Sequence, residues 1–207
     1  TQLPQVGIIS SGIASIAADN NHPQLNINQS SQRAVINWQS FDVGEHAAVN
    51  FYQPNSTSIT LNKVNSNNPS QIFGKIRANG QIILQNSSGI YFGKNSRVDV
   101  GAIIATTHAI NEDKFMQGTF EFDRNGSTAS IINEGEIKTA LNGYVALLAP
   151  EVRNRGLIVA QMGTVVMASG EKITLNFSNN KHLSSITASS ATIDTLIENK
   201  HAVQAYG

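Results

Sequence analysis

The chain has 207 residues, with 14 basic and 14 acidic side chains and no cysteine. A formal charge of zero without any block of like charge lacks the electrostatic footprint that nucleic acid requires. The missing thiols exclude disulfide staples, thiolate metal sites and cysteine nucleophiles. No run approaches the roughly 18–20 apolar residues of a membrane-crossing helix, and the length suits one domain with one core.

In chain order, residues 1–52 read as an N-terminal cap. Thr1 opens abruptly on TQLPQVGIISSG, which reads as a mature terminus left after removal of a signal peptide, or as the cut end of a piece. Short apolar β signals follow at Val6–Ile9, Ile13–Ile16, Leu25–Asn28 and Ala34–Trp38 without a fixed period. Trp38, the only tryptophan, and Phe41 are expected to plug the end of the core. Residues 53–105 read as the first rungs of a solenoid. Strands at Ser58–Val64, Gln81–Leu84, Gly89–Phe92 and Arg97–Val100 alternate there with Asn, Gly, Ser and Pro corners.

Residues 106–130 break that pattern and read as a hairpin outside the solenoid, turning at Asn125-Gly126. Its aromatics are Phe115, Phe120 and Phe122. Phe120 and Phe122 share strand parity and are expected to cover apolar rung surface, the alternative being an exposed docking patch.

Residues 131–207 read as regular rungs because the sequence repeats. Asn133-Glu134-Gly135-Glu136-Ile137 returns as Asn154-Arg155-Gly156-Leu157-Ile158, and Gly143–Ala149 returns at nearly the same spacing as Gly163–Ser169. A weaker copy, Asn199-Lys200-His201-Ala202-Val203, stands further on and reads as two more laps with a small insertion. A period of about 20–22 residues, built of β-branched runs between Asn and Gly, predicts an all-β parallel solenoid in which Val145 and Val165 are vertical neighbours. Asn133, Asn154 and Asn199 would form an amide ladder, and the 23 Asn and 16 Gly would supply corners needing positive φ.

Candidate chemistry is sparse. The five histidines have no metal-ligand spacing, the six aspartates lack calcium-binding repeats, and no nucleophile elbow or phosphate loop occurs. No catalytic residue, metal or cofactor is expected. Glu134, Glu136, Glu151, Arg153 and Arg155 are the one concentration a β-helical polysaccharide lyase or hydrolase would need, and they read better as cross-rung ion pairs.

Ala34–Gly44, Phe51–Pro54, Leu61–Val64, Asn68-Pro69-Ser70-Gln71-Ile72-Phe73-Gly74, Ala78–Ile82, Gly89–Gly93 and Gly143–Pro150 stand in an order that resembles two-partner secretion domains of filamentous-haemagglutinin-like and high-molecular-weight-adhesin-like exoproteins, over roughly residues 3–177. The resemblance implies a right-handed parallel β-helix with a β-cap and an extra-helical hairpin. It implies a Gram-negative exoprotein, secreted to the cell surface after periplasmic transit and recognised by the POTRA domains of a TpsB-type outer-membrane β-barrel. Asn68, Pro69, Ser70, Asn86, Ser87, Ser88 and Gly89 are the expected recognition or folding motifs. The family's Asn-Pro-Asn-Gly is here Asn86-Ser87-Ser88-Gly89, which reads first as a structural turn. A monomer is expected, with a host glycan or protein met through the full-length exoprotein. The alternative is that the domain is itself an adhesive glycan- or protein-binding module.

Overall fold

The computed structural model describes residues 3–178 and 182–204. Its body is a parallel β-helix of about six turns with three faces. The first face stacks Gln24–Gln29, Ala48–Tyr52, Lys75–Ala78, Arg97–Val100, Glu136–Thr139, Leu157–Ala160 and Ala202–Gln204. The second stacks Arg33–Trp38, Ile59–Val64, Gln81–Asn86, Ala102–Thr106, Tyr144–Leu148 and Thr164–Ala168. The third stacks Ser70–Ile72, Ile90–Phe92, Ser130–Asn133, Glu151–Asn154 and Leu196–Asn199.

Side-chain alternation along each strand builds the interior from vertical columns. On the first face Leu25, Val49, Ile76, Val98, Ile137 and Ile158 are successive partners, all buried. On the second, Val145 pairs with Val165 as the sequence repeat requires. Near the start the interior turns polar and stays satisfied. Trp38 Nε1 donates to Asn62 Oδ1 at 3.0 Å, and Gln53 Nε2 donates to Thr60 Oγ1 at 3.0 Å.

Close rung contact, more than backbone conformation, explains the glycines. A Cβ on Gly163 would overlap the carbonyl oxygen of Gly143, one on Gly143 would overlap that of Gly101, and one on Gly101 would lie 2.6 Å from that of Gly80. None of these four has positive φ. The expectation that corners are rich in positive φ is therefore corrected. Left-handed non-glycine residues among those described are only Val6, Asn125, Asn142 and Met162.

The cap is shorter than residues 1–52. Ile8–Ser11 runs antiparallel to Arg33–Trp38, and Ala14–Ala18 runs antiparallel to Gln24–Gln29, closing both first edges. Parallel stacking starts at Gln24, because Gln24 already pairs with Ala48 and Arg33 with Ile59. Trp38 and Phe41 are buried in a T-shaped pair with centroids 5.6 Å apart. A Cβ on Gly7 would lie 2.6 Å from the indole, so the cap rests directly on Trp38.

Two insertions leave the solenoid between its second and third faces and join into one four-stranded antiparallel sheet. The first contributes Ala109–Ile110 and Phe120–Asp123, the second Lys172–Phe177 and Leu183–Ala188. The expected hairpin differs in its connection. A short helix, Glu112–Met116, joins its strands, capped by Asn111 accepting from the Lys114 N–H at 2.9 Å. Asn125-Gly126, at φ of +49° and +81°, instead turns the chain back toward the solenoid. Residues 131–207 are likewise not uniformly regular, since Lys172–Phe177 and Leu183–Ala188 lie outside the rungs. Phe115, Phe120 and Phe122 are buried, with Ile173 and Leu175, on Val35, Leu61, Ile83, Ile104 and Ala146 of the second face. That surface is too apolar to be left in water, and burying each large side chain is worth about 1.5–3 kcal/mol.

Candidate functional site

Two stacked corners carry the motifs singled out in the sequence. Asn68-Pro69 leads into Ser70–Ile72, and Asn86–Gly89 leads into Ile90–Phe92 one turn later, in parallel register. The Asn86 amide clamps them together, donating to the Asn68 carbonyl at 3.1 Å and to Ser70 Oγ at 3.0 Å. The Ser70 N–H donates to the Gly89 carbonyl at 3.0 Å, and Ser88 Oγ donates to the Ser66 carbonyl at 2.6 Å. Inside the second corner Asn86 Oδ1 accepts from the Ser88 N–H at 2.9 Å, an Asx turn that forms without proline. Gly89 closes it at φ +116°. Ser70, Asn86 and Gly89 are buried, whereas Asn68, Pro69 and Ser87 are exposed. The corner is tied to the first insertion, because Ser127 Oγ donates to the Ser87 carbonyl at 2.8 Å.

The charged cluster weighed for polysaccharide chemistry is engaged in contacts between and along rungs. Arg153 donates to Glu151 at 2.5 Å and to Glu198 of the next rung at 2.8 Å, and Arg155 reaches Glu198 at 3.3 Å. Glu136 pairs with Arg97 at 3.3 Å in the rung before. Glu134 accepts the Tyr91 hydroxyl, a hydrogen bond that raises the tyrosine pKa. Partial burial works against the Glu198 carboxylate, yet the Arg155 hydrogen bond and the charges of Lys200, Arg153 and Arg155 hold its pKa below the ordinary value. Among the described residues no group of three or more His, Asp or Glu is placed to hold a metal ion, and no helix is long and apolar enough to cross a membrane.

The two insertions are latched to each other. His108 is fully buried, and its Nε2 lies 2.7 Å from the Gly170 carbonyl. Arg124 Nε donates to Glu171 at 2.9 Å, and that hydrogen bond holds the carboxyl pKa low. The helix also staples the cap, since Ser10 and Ser11 hydroxyls donate to the two Glu112 oxygens at 2.7 and 2.8 Å.

Sequence reasoning read only a small insertion here, within two laps, and missed its size, its strands and its latch. Two signals were available: the long gap from Asn154 to Asn199, and the alternation Ile173-Thr174-Leu175-Asn176-Phe177 that breaks the period.

The comparisons with known proteins agree with this architecture. The chain is 29% identical over 211 residues to a heme/hemopexin-binding protein of Haemophilus influenzae (strain ATCC 51907 / DSM 11121 / KW20 / Rd), covering 98% of this chain and 23% of that one. A second heme/hemopexin-binding protein of Haemophilus influenzae is 33% identical over 112 residues, 54% of this chain and 12% of that protein. The chain thus spans less than a quarter of these relatives. The crystal structure of the HMW1 secretion domain from Haemophilus influenzae superposes with a TM-score of 0.84 at 31% identity, over 91% of this chain and 50% of that one. The family model described as TPS secretion domain matches residues 8–207, and the chain belongs to that family, the secretion domains of two-partner exoproteins.

Proposed function

We propose that this domain is read by the periplasmic POTRA domains of an outer-membrane partner transporter while unfolded, and that once outside it nucleates β-helix folding of a surface adhesin or haemagglutinin. TPS exoproteins are secreted by Gram-negative bacteria, and the family implies a TpsB transporter. The observation that carries the nucleation step is the closed first rung: antiparallel strands lie over Trp38, and the later rungs stack on it in parallel register. With one edge closed, rungs add in one direction, each gaining its contacts from the neighbour already in place.

Burial supports recognition before folding. The Asn86 amide and Ser70 hydroxyl are inside the folded corner, so a receptor that reads them by strand addition meets them only in the extended chain, and folding hides them afterwards. The domain acts without catalysis in this reading, since its clustered carboxylates are committed to ion pairs or, at Glu134, to the Tyr91 hydroxyl.

The test is deletion of residues 1–100 from the full-length exoprotein co-expressed with its transporter, alongside binding of purified POTRA domains to the urea-unfolded and refolded chain. Loss of export together with POTRA binding confined to the unfolded chain is expected. Unchanged export overturns the reading in favour of a purely adhesive module, and equal POTRA binding to both states overturns recognition before folding.

A further inference from the structure

We propose that the polar cavity where the solenoid meets both insertions binds an acidic saccharide unit. Its volume is about 450 Å³, within the range of small-ligand sites. The floor is one outward column from three successive turns, Arg33, Ile59 and Gln81. Thr119 and Phe120 of the first insertion and Phe177 of the second form the roof.

Charge comes first. Among the described residues of the lining, Arg33 carries the only charged side chain. One of its five N–H donors reaches the Met116 carbonyl, at 3.4 Å, and among the described residues it has no carboxylate partner. Gly118 lies above it at φ +89°, and a side chain there would begin 3.0 Å from Arg33 Nη2. Glycine therefore keeps the roof open over a planar fork that matches a carboxylate.

The hydroxyl-reading group is preset. Gln81 Oε1 accepts the Tyr144 hydroxyl at 2.6 Å, while its Nε2 has no acceptor among the described residues. Tyr144 is buried, its ring 5.2 Å from Phe177, so the amide is held from behind by a fixed side chain. Phe177 and Phe120, 4.9 Å apart, supply the apolar wall that the C–H face of a sugar ring needs. A bare inorganic anion would leave that wall and the amide unused, and a neutral sugar would leave the Arg33 charge unpaired. The combination selects a ligand with a carboxylate, hydroxyls and one apolar face.

This site does not depend on the secretion reading. It is tested by titrating the folded chain with glucuronic acid, glucose and sodium sulfate, followed by calorimetry and by backbone amide shifts. Saturable binding of glucuronic acid is expected, with glucose and sulfate each about tenfold weaker or worse, and Arg33→Gln should lower glucuronate affinity by a similar factor. The wild-type shifts should centre on Thr119 and Phe177, which reports the site even if the variant is unstable. No saturable glucuronate binding, equal affinity for all three probes, or shifts centred elsewhere would overturn the proposal.

Discussion

Asn154 and Asn199 are distant in the sequence and one turn apart in space, with Asn154 Nδ2 donating to Asn199 Oδ1 at 2.9 Å. They extend a ladder from Asn133, whose Nδ2 donates to Asn154 Oδ1 at 2.9 Å, and their strands pair directly. The expectation of two further laps between them is therefore corrected. A single lap holds all the intervening residues because the second insertion takes up the excess.

Asn154 sits in the middle of the ladder and also accepts the Gly156 N–H at 3.2 Å. Asn154→Ala leaves the buried Asn133 amide only a 3.5 Å contact to the Gly135 carbonyl and leaves that N–H unpaired, at a cost of about 2–4 kcal/mol. Asn199→Ala, at the exposed end, should cost less than about 1 kcal/mol. Urea unfolding midpoints with unchanged m-values measure both, and equal losses would show that the ladder contributes no more at its centre than at its end.

The repeat was legible where turns are regular. Lys75 pairs with Arg97, and Glu136 with Leu157, after almost identical steps along the chain, so the period and the inward columns could be read directly. The steps from Gln24 to Ala48 and from Ala48 to Lys75 are longer and unequal, and this drift hid the first rungs inside the expected cap. The sheet covering the second face was half legible. Phe120 and Phe122 announced one strand, but their pairing with Leu175 and Ile173 links distant segments of the chain, beyond any local pattern. The saccharide cavity left no motif at all, because Arg33, Gln81 and Phe177 meet only through the fold.

Phe122 and Ile173 are cross-strand partners between the two insertions, both buried on the second face. Phe122→Ala should cost about 3–5 kcal/mol. The loss should appear first as proteolysis within residues 107–129 and 169–195, ahead of the rungs. Simultaneous cleavage of rungs and insertions would mean that the covering sheet and the solenoid unfold as one unit.

Close approach and backbone conformation make separable predictions at glycines. Gly126 has open space around its missing Cβ and φ of +81°, so Gly126→Ala should cost about 1–2 kcal/mol from strain alone. Gly143 has no positive φ but lies against the Gly101 carbonyl, so Gly143→Ala must push two rungs apart and should cost more. Conversely, exposed Met162 at φ +52° carries strain that asparagine tolerates, and Met162→Asn should raise stability by a few tenths to about 1 kcal/mol. Thermal melts of the three variants rank these effects, and a milder Gly143→Ala than Gly126→Ala would refute the close-contact account.

His108 gives the inter-insertion latch a pH dependence. Burial lowers its pKa below the ordinary value, only partly offset by the hydrogen bond to the Gly170 carbonyl, and Nδ1 has no hydrogen-bond partner among the described residues. The charges that face it are Asp123 and Glu171, which favour protonation, and Arg124, which opposes it. The unfolded chain therefore binds a proton on this side chain at higher pH than the folded chain does. Stability should be full above about pH 6.5, fall as the pH drops through the window between that value and the lowered folded pKa, and level off below it. The Glu171 carboxylate, held low by Arg124, contributes in a separate window, losing its stabilisation only as the pH falls below the ordinary carboxylate range. His108→Gln keeps an N–H donor for Gly170 and removes the titration, so its melting temperature should stay flat across the histidine window while retaining the carboxylate-dependent fall. A variant whose profile still follows the wild type between pH ~7 and ~5 would place the titration on another group.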